Sequence, residues 1–207
     1  MKKNILGVVL CGGQSVRMGE DKGLITYQGI SLVQTQYKKL QSICDRVVAS
    51  INPEQVDAYG KVVISDSLIV DSVSIPGPLK GLLSVHQAFP NKDLLVLACD
   101  VPLITEELLT KLIETSSFAP SHEFYVYCNA DEYEPLVGIY KSNGLSRIKS
   151  LFDDGKLERY SMKNALATGD THTLDIEEAD KAYFKNFNFK GDLYTDLSDS
   201  SPENKVD

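Results

Sequence analysis

Short apolar runs alternate along the chain with segments in which apolar positions recur every three or four residues, the signature of repeated strand–helix units. Ile5–Leu10 reads as a first strand that ends in a glycine-rich loop. From about Ser31 to Ile43 the positions Leu32, Val33, Tyr37, Leu40 and Ile43 share one helical face, with Ser31 placed as the cap. Arg46–Ile51 is the second strand. Asn52-Pro53 then opens a short helix, because proline at the first helical position gives up an N–H that had no partner anyway. Lys61–Ile64 is expected as the third strand, ending beside Ser65-Asp66. Pro76-Gly77-Pro78 forms a turn that launches a helix through Leu79, Leu82, Leu83 and Val85.

Asp93–Ala98 is almost continuously apolar, as in a central strand buried on both faces. Thr105 is expected to cap a helix over Glu106–Glu114, whose first-turn acids suit the positive end of its dipole. Glu123–Cys128 and Leu136–Tyr140 read as β segments around the polar stretch Asn129–Glu134. Helical patterns follow at about Ser142–Phe152 and Glu158–Leu166, then a strand near His172–Asp175, a short helix and the apolar segment Tyr183–Phe189. This order predicts one α/β domain over residues 1–189 with a mainly parallel sheet. The polar, acidic stretch from Lys190 to Asp207 is expected to be a disordered tail.

Composition narrows the reading. With 207 residues the chain is long enough to bury a core by itself. No stretch approaches the roughly 20 apolar residues of a membrane span, and the N-terminus lacks the apolar length of a secretory signal. The expected location is the cytoplasm, with no membrane partner. Net charge is −8, and the 21 Lys and Arg residues are spread rather than clustered, which speaks against nucleic acid. Cys11, Cys44, Cys99 and Cys128 form no Cys-x-x-Cys pair, so they read as reduced packing thiols. His86, His122 and His172 are isolated and are assigned no chemistry.

Open parallel sheets bind ligands beyond the carboxyl ends of their strands. The expected first strand runs into Leu10-Cys11-Gly12-Gly13, followed by Arg17, Gly19 and Lys22. Glycines let backbone N–H groups approach phosphate oxygens, while Arg17 and Lys22 neutralise a triphosphate. Neither the dinucleotide fingerprint nor the P-loop spacing is present. Asn52 follows the second strand, and Asp100 stands at the end of the buried strand in Cys99-Asp100-Val101-Pro102. A carboxylate leaving a core strand needs a partner, and a magnesium ion shared with substrate phosphates supplies one. Asp66 reads equally as an acceptor for guanine N–H groups or a ribose hydroxyl, or as a turn cap with Ser65 and Ser67.

The blocks Leu10-Cys11-Gly12-Gly13-x-x-x-Arg17-Met18-Gly19-x-Asp21-Lys22, Asp66-Ser67, Pro76-Gly77-Pro78-Leu79-x-Gly81, Cys99-Asp100-Val101-Pro102 and Pro135-Leu136-Val137-Gly138 resemble the molybdenum cofactor guanylyltransferases. The resemblance implies a Rossmann-like three-layer sandwich of the nucleotide-diphospho-sugar transferase type. It implies transfer of GMP from GTP to molybdenum-loaded molybdopterin with release of pyrophosphate. It also implies that Leu10, Cys11 and Gly12 contact the nucleotide, that Lys22 and Asp66 bind GTP, and that Asp100 holds magnesium. Gly13, Asn52 and Asp100 join the expected nucleotide-binding set from their places past the strands, and Arg17, Lys22 and Asp100 are the expected catalytic residues. Contact with molybdoenzymes or their chaperones is a further expectation that goes with the resemblance. The sequence departs from the family at Cys11, where alanine is common, and at Ser50, where an asparagine can contact the nucleotide. Its end, Asn186-Phe187-Asn188, only loosely follows the family's asparagine-rich segment. The rivals are a transferase using CTP or a sugar phosphate, and a nucleotide-binding regulatory module without turnover.

Overall fold

The computed structural model describes residues 5–12 and 21–187. Its elements in chain order are β1 (Ile5–Leu10), β2 (Thr26–Tyr27), β3 (Ile30–Ser31), α1 (Leu32–Ile43), β4 (Arg46–Ile51) and α2 (Val56–Tyr59). β5 (Leu68–Val70), α3 (Leu79–Ala88), β6 (Asp93–Ala98), α4 (Glu106–Phe118), β7 (Phe124–Asn129) and β8 (Glu132–Tyr140) follow. α5 (Ser142–Asp153), α6 (Met162–Ala167) and β9 (Thr171–Asp175) complete the set. Seven strands form one sheet in the order β5-β4-β1-β6-β8-β7-β9, and β2-β3 is a separate two-stranded hairpin. In the main sheet β8 alone runs against the others, pairing antiparallel with β6 and β7.

The sheet divides two apolar layers because successive strand side chains point to opposite faces. Val9, Leu95 and Leu97 pack with Val33 and Leu40 of α1 and with Leu108, Leu109 and Leu112 of α4. Val8, Leu94 and Val96 pack on the other side with Leu79, Leu82 and Leu83 of α3, Leu145 and Ile148 of α5, and Leu166 of α6. The result is the expected three-layer α/β sandwich with a mixed, mainly parallel sheet. Among the described residues no helix is long and apolar enough to cross a membrane. All four cysteines are buried and none is in a disulfide.

Local signals fix the helix starts. Ser31 caps α1 in a reciprocal box, its hydroxyl accepting from Gln34 N–H at 3.4 Å while Gln34 Oε1 accepts from Ser31 N–H at 3.2 Å. Thr105 Oγ1 accepts from Leu108 N–H at 3.3 Å at the start of α4.

Four expectations are corrected. Lys61–Ile64 is not a strand: the N–H groups of Val62 and Val63 both turn back to the Tyr59 carbonyl, at 3.0 and 2.8 Å. The Val62 carbonyl is taken by Gln34 Nε2 at 3.0 Å, so this backbone has nothing left for a ladder. The strand that pairs with β4 is β5, four residues further on. The polar stretch after β7 tightens into a hairpin in which Ala130 takes φ 53°, so β8 begins at Glu132 rather than Leu136. The helix expected over Glu158–Leu166 starts at Met162, capped by Ser161, whose hydroxyl accepts from Asn164 N–H at 3.1 Å. Tyr183 and Phe184 end a 3-10 turn over Glu178–Phe184 rather than opening an apolar segment. Phe189 and the expected tail lie outside the described residues.

Candidate active site

The carboxyl ends of β5, β4, β1 and β6 lie side by side and place four loops along one edge. Backbone bonds carry the ladder past the strand ends: Cys11 N–H donates to Ser50 O at 3.0 Å, Cys99 N–H to Leu10 O at 3.2 Å, and Asp71 N–H to Ile51 O at 2.8 Å. Across the edge the order is therefore Asp71, then Ser50 and Asn52, then Cys11 and Gly12, then Asp100. Three inter-strand spacings of about 4.8 Å separate the first from the last, roughly 14 Å. That is the scale of an extended nucleoside triphosphate.

At the β6 end, Asp100 Oδ2 pairs with Lys22 Nζ at 3.3 Å, and both side chains are partly buried. Asp100 Oδ1 is buried and accepts no hydrogen bond among the described residues. The loop behind it is held from several sides. Gln36 Nε2, fully buried on α1, donates to the Ala98 carbonyl at 3.4 Å and to the Val101 carbonyl. Lys39 Nζ donates to the Pro102 carbonyl at 2.9 Å, and burial brings its ammonium down to a pKa of about 8. Phe187 N–H donates to the Asp100 carbonyl at 2.7 Å, and its ring packs on Leu32. The loose asparagine-rich segment thus reaches the site through Phe187.

Lys22 is aimed by a residue the sequence reading quoted but gave no role. Asp21 caps the 3-10 turn over Lys22–Leu24, accepting from Gly23 N–H at 3.0 Å. It also accepts from the Tyr59 hydroxyl at 2.7 Å and from Gln55 Nε2. A side chain at Gly23 would collide with that same Tyr59 hydroxyl, so glycine lets the turn lie against the ring.

At the opposite end, Asp71 is 8% exposed and follows the last residue of β5. Its Oδ1 accepts from Ser50 Oγ at 2.6 Å, and its Oδ2 lies 3.4 Å from Lys80 Nζ. That approach lacks hydrogen-bond geometry, so Oδ2 is a buried oxygen without a hydrogen-bond donor among the described residues. Burial raises the Asp71 pKa, against the lowering effects of Ser50 and Lys80. A Cβ at Gly12 would sit 2.7 Å from Asp71 Oδ2 and 3.7 Å from Asn52 Oδ1, so the loop presses its bare backbone onto this pair.

The expected site residues fall into three groups. Leu10, Cys11, Gly12, Lys22, Asn52 and Asp100 are brought together on this edge. Asp66 is not: it is exposed in the turn before β5, next to Ser67, whose hydroxyl lies 2.9 Å from the Tyr37 hydroxyl. The Tyr37 hydroxyl donates to Val47 O at the start of β4, so Asp66 sits at the opposite edge of the sheet. Gly13 and Arg17 lie outside the described residues. The structure adds two residues to this edge: Asp71, which the early placement of the third strand had hidden, and Lys80, which occupies the variable position of Pro-Gly-Pro-Leu-x-Gly.

The donor set suits a divalent cation at Asp100. Among the described residues no group of three or more His, Cys, Asp or Glu could hold one alone. A single carboxylate with an uncommitted buried oxygen fits a magnesium ion whose other ligands are phosphates and water. Cys11 is not a nucleophile, since burial pushes its thiol well above the ordinary range.

Comparison with known proteins identifies the family. The MobA-like NTP transferase domain matches residues 7–169. A molybdenum cofactor guanylyltransferase of Pseudomonas paraeruginosa is 32% identical over 151 residues, covering 72% of this chain and 74% of that one. The crystal structure of molybdopterin-guanine dinucleotide biosynthesis protein A from Archaeoglobus fulgidus superposes with a TM-score of 0.76 at 19% identity, covering 95% of this chain and 100% of that one. The 4-diphosphocytidyl-2C-methyl-D-erythritol synthase of Anaerococcus prevotii shares the fold, with a TM-score of 0.68 at 10% identity over 94% of each chain. The chain belongs to the MobA-like NTP transferase family.

Proposed function

We propose that the chain is a molybdenum cofactor guanylyltransferase of the cytoplasm, joining GMP from GTP to molybdenum-loaded molybdopterin with release of pyrophosphate. The observation that carries this reading is the Lys22–Asp100 pair with its uncommitted Asp100 oxygen. It lies about two to three strand spacings from a second polar cluster at Asn52 and Asp71. The phosphates belong at the first and the nucleoside at the second, with Gly12 between them.

The reaction is attack by the terminal phosphate oxygen of molybdopterin on the α-phosphorus of GTP. A new P–O bond forms there as the bond to the β-phosphate breaks and pyrophosphate leaves. The nucleophile is already anionic, so the chain need supply no strong general base. Lys22 steadies charge that grows on the leaving pyrophosphate, as does Arg17 from the same loop. Asp100 would hold the magnesium ion, which, when bound, neutralises phosphate charge. Gln36, Lys39 and Phe187 keep the Asp100 loop in place through its carbonyls. The acceptor is assigned to the β7–β8 hairpin, which reaches the same edge one strand beyond β6. Glu134 there is half-buried, and burial raises its carboxyl pKa.

The test is pyrophosphate release with GTP, CTP, ATP and UTP in turn, each with magnesium and molybdenum-loaded molybdopterin. GTP alone should support release, and Asp100→Ala should abolish it while GTP still binds more weakly. Release with CTP would overturn the guanine assignment and keep the mechanism. Binding of GTP without any release would point to a regulatory module, and normal turnover in Asp100→Ala would remove the metal assignment.

A further inference from the structure

We propose that Lys80 is a positioning residue that sets nucleoside selectivity, acting through Asn52 and Asp71 without touching the nucleotide; this rests on the nucleotidyl-transfer reading above. Lys80 stands in the first turn of α3, and its ammonium meets two groups from two other loops. It donates to Asn52 Oδ1 and lies 3.4 Å from Asp71 Oδ2. An ammonium has donors and no acceptor, so the Asn52 amide is fixed with its oxygen toward Lys80. Its NH2 group then faces the other way, as a donor. Asp71 meets the same ammonium from the buried side. Ser50 occupies Oδ1, and Oδ2 stays a buried acceptor against Gly12, its side chain 1% exposed.

The Asn52 amide is thus the group left to meet a ligand, while the buried Asp71 carboxylate holds the ammonium from behind and supports the Gly12 backbone. A nucleobase edge or a ribose hydroxyl offers the matching acceptor. Gly81 makes this arrangement possible, because a side chain there would collide with Ser50 Oγ. Without the ammonium the Asn52 amide loses the group that fixes its oxygen and can turn over. The same loss leaves Asp71 facing only the neutral Ser50 from β4 and the first-loop backbone, with no cation from any packed element among the described residues. A buried carboxyl in that setting takes up a proton, and the Gly12 backbone that rests on it shifts. The Lys22–Asp100 end, some three strand spacings away, keeps its own charges.

Binding titrations decide the matter, using wild type, Lys80→Met and Lys80→Arg with GTP, CTP, ATP, UTP and inorganic triphosphate. Melting curves accompany them to confirm folding. Lys80→Met should weaken the preferred nucleotide by about tenfold or more and narrow the spread among the four bases, as expected for losing charge-assisted hydrogen bonds. Inorganic triphosphate should bind within about twofold of wild type, the spread expected of a distant site. Lys80→Arg should recover most of the loss. In Lys80→Met nucleotide binding should weaken as the pH falls, since the buried Asp71 carboxyl takes up a proton more readily without its cation. An equal loss of triphosphate affinity would make Lys80 a phosphate ligand and overturn the proposal, as would unchanged nucleotide binding. If Lys80→Met does not fold, Lys80→Gln replaces it: its amide still donates to Asn52, so pH-independent binding there would refute the Asp71 half. The wild-type order among the four nucleotides tests the guanine assignment separately. The Lys80 ratio is read with whichever nucleotide wild type prefers, and binding of none would end both.

Discussion

Asp21→Ala is the sharpest test of how the first loop is built. The carboxylate ties three elements together: the turn that carries Lys22, the 3-10 turn at Pro53–Gln55, and the Tyr59 hydroxyl from α2. Tyr59 is fully buried, so removing its acceptor strands a hydroxyl inside the protein. A stranded buried polar group costs about 1–3 kcal/mol, and losing the turn cap adds about 1 kcal/mol. We take about 3 kcal/mol together, which for a chain of this length lowers Tm by roughly 6–12 °C. Tyr59→Phe removes the hydroxyl along with the problem. The double variant should therefore be more stable than the sum of the single losses predicts, by about 1 kcal/mol or more. Urea denaturation of the four proteins measures this directly. Pyrophosphate release should fall in Asp21→Ala, because Lys22 is the next residue and loses its fixed starting point. A destabilisation under about 0.5 kcal/mol with strictly additive effects would refute the anchoring role.

Two further substitutions follow from close contacts. Gly12→Ala places a methyl 2.7 Å from Asp71 Oδ2, so the loop must lift from the β5 end, and GTP affinity should fall by about tenfold; calorimetry giving wild-type affinity would show that the loop does not need to lie so close. His86 is buried between α3 and α5, with Nε2 3.1 Å from Ser146 Oγ and Nδ1 lacking a partner. Burial, then Lys149, lowers its pKa from 6.5. The unfolded chain then binds a proton that the folded chain refuses, so stability is complete above pH 6.5 and falls as pH drops from there toward the lower folded value. The stability difference between wild type and His86→Gln should vary with pH across that window, and a difference constant from about pH 7 to about pH 5 would exclude His86 as the source.

Much of the fold was legible because its elements satisfy several constraints at once. Asp93–Ala98 reads as a central strand from its continuous apolar run, and it pairs on both sides, with β1 and β8. Ser31 and Thr105 mark helix starts because their hydroxyls accept from N–H groups three residues on. The register of the β7–β8 hairpin was not legible. It shifts between Val126 and Tyr127, where Gly138 lets β8 lie so close that a Cβ would meet the Tyr125 carbonyl at 2.8 Å. Sequence spacing carries no trace of such a contact.

The placement of the site residues shows the same division, and a single displaced strand accounts for the position of Asp66. Lys61–Ile64 and Leu68–Val70 are both short apolar runs, and local pattern has no means of choosing between them. The choice is made by tertiary demand. Tyr59 has to turn back at once so that its hydroxyl reaches Asp21, and Val62 and Val63 are spent closing that turn. Only the later run can then pair with β4, which moves the strand-end aspartate from Asp66 to Asp71. The rule that ligands gather beyond the carboxyl ends of parallel strands depends on where each strand ends, and here the carboxylate at that end is Asp71, with Asp66 before the strand. Lys22 and Asp100 sit where they were expected because Ile5–Leu10 and Asp93–Ala98 are interior strands with no competing run nearby. A candidate site residue read from sequence is therefore only as secure as the strand that carries it, and an edge strand of three residues is the least secure carrier in this fold.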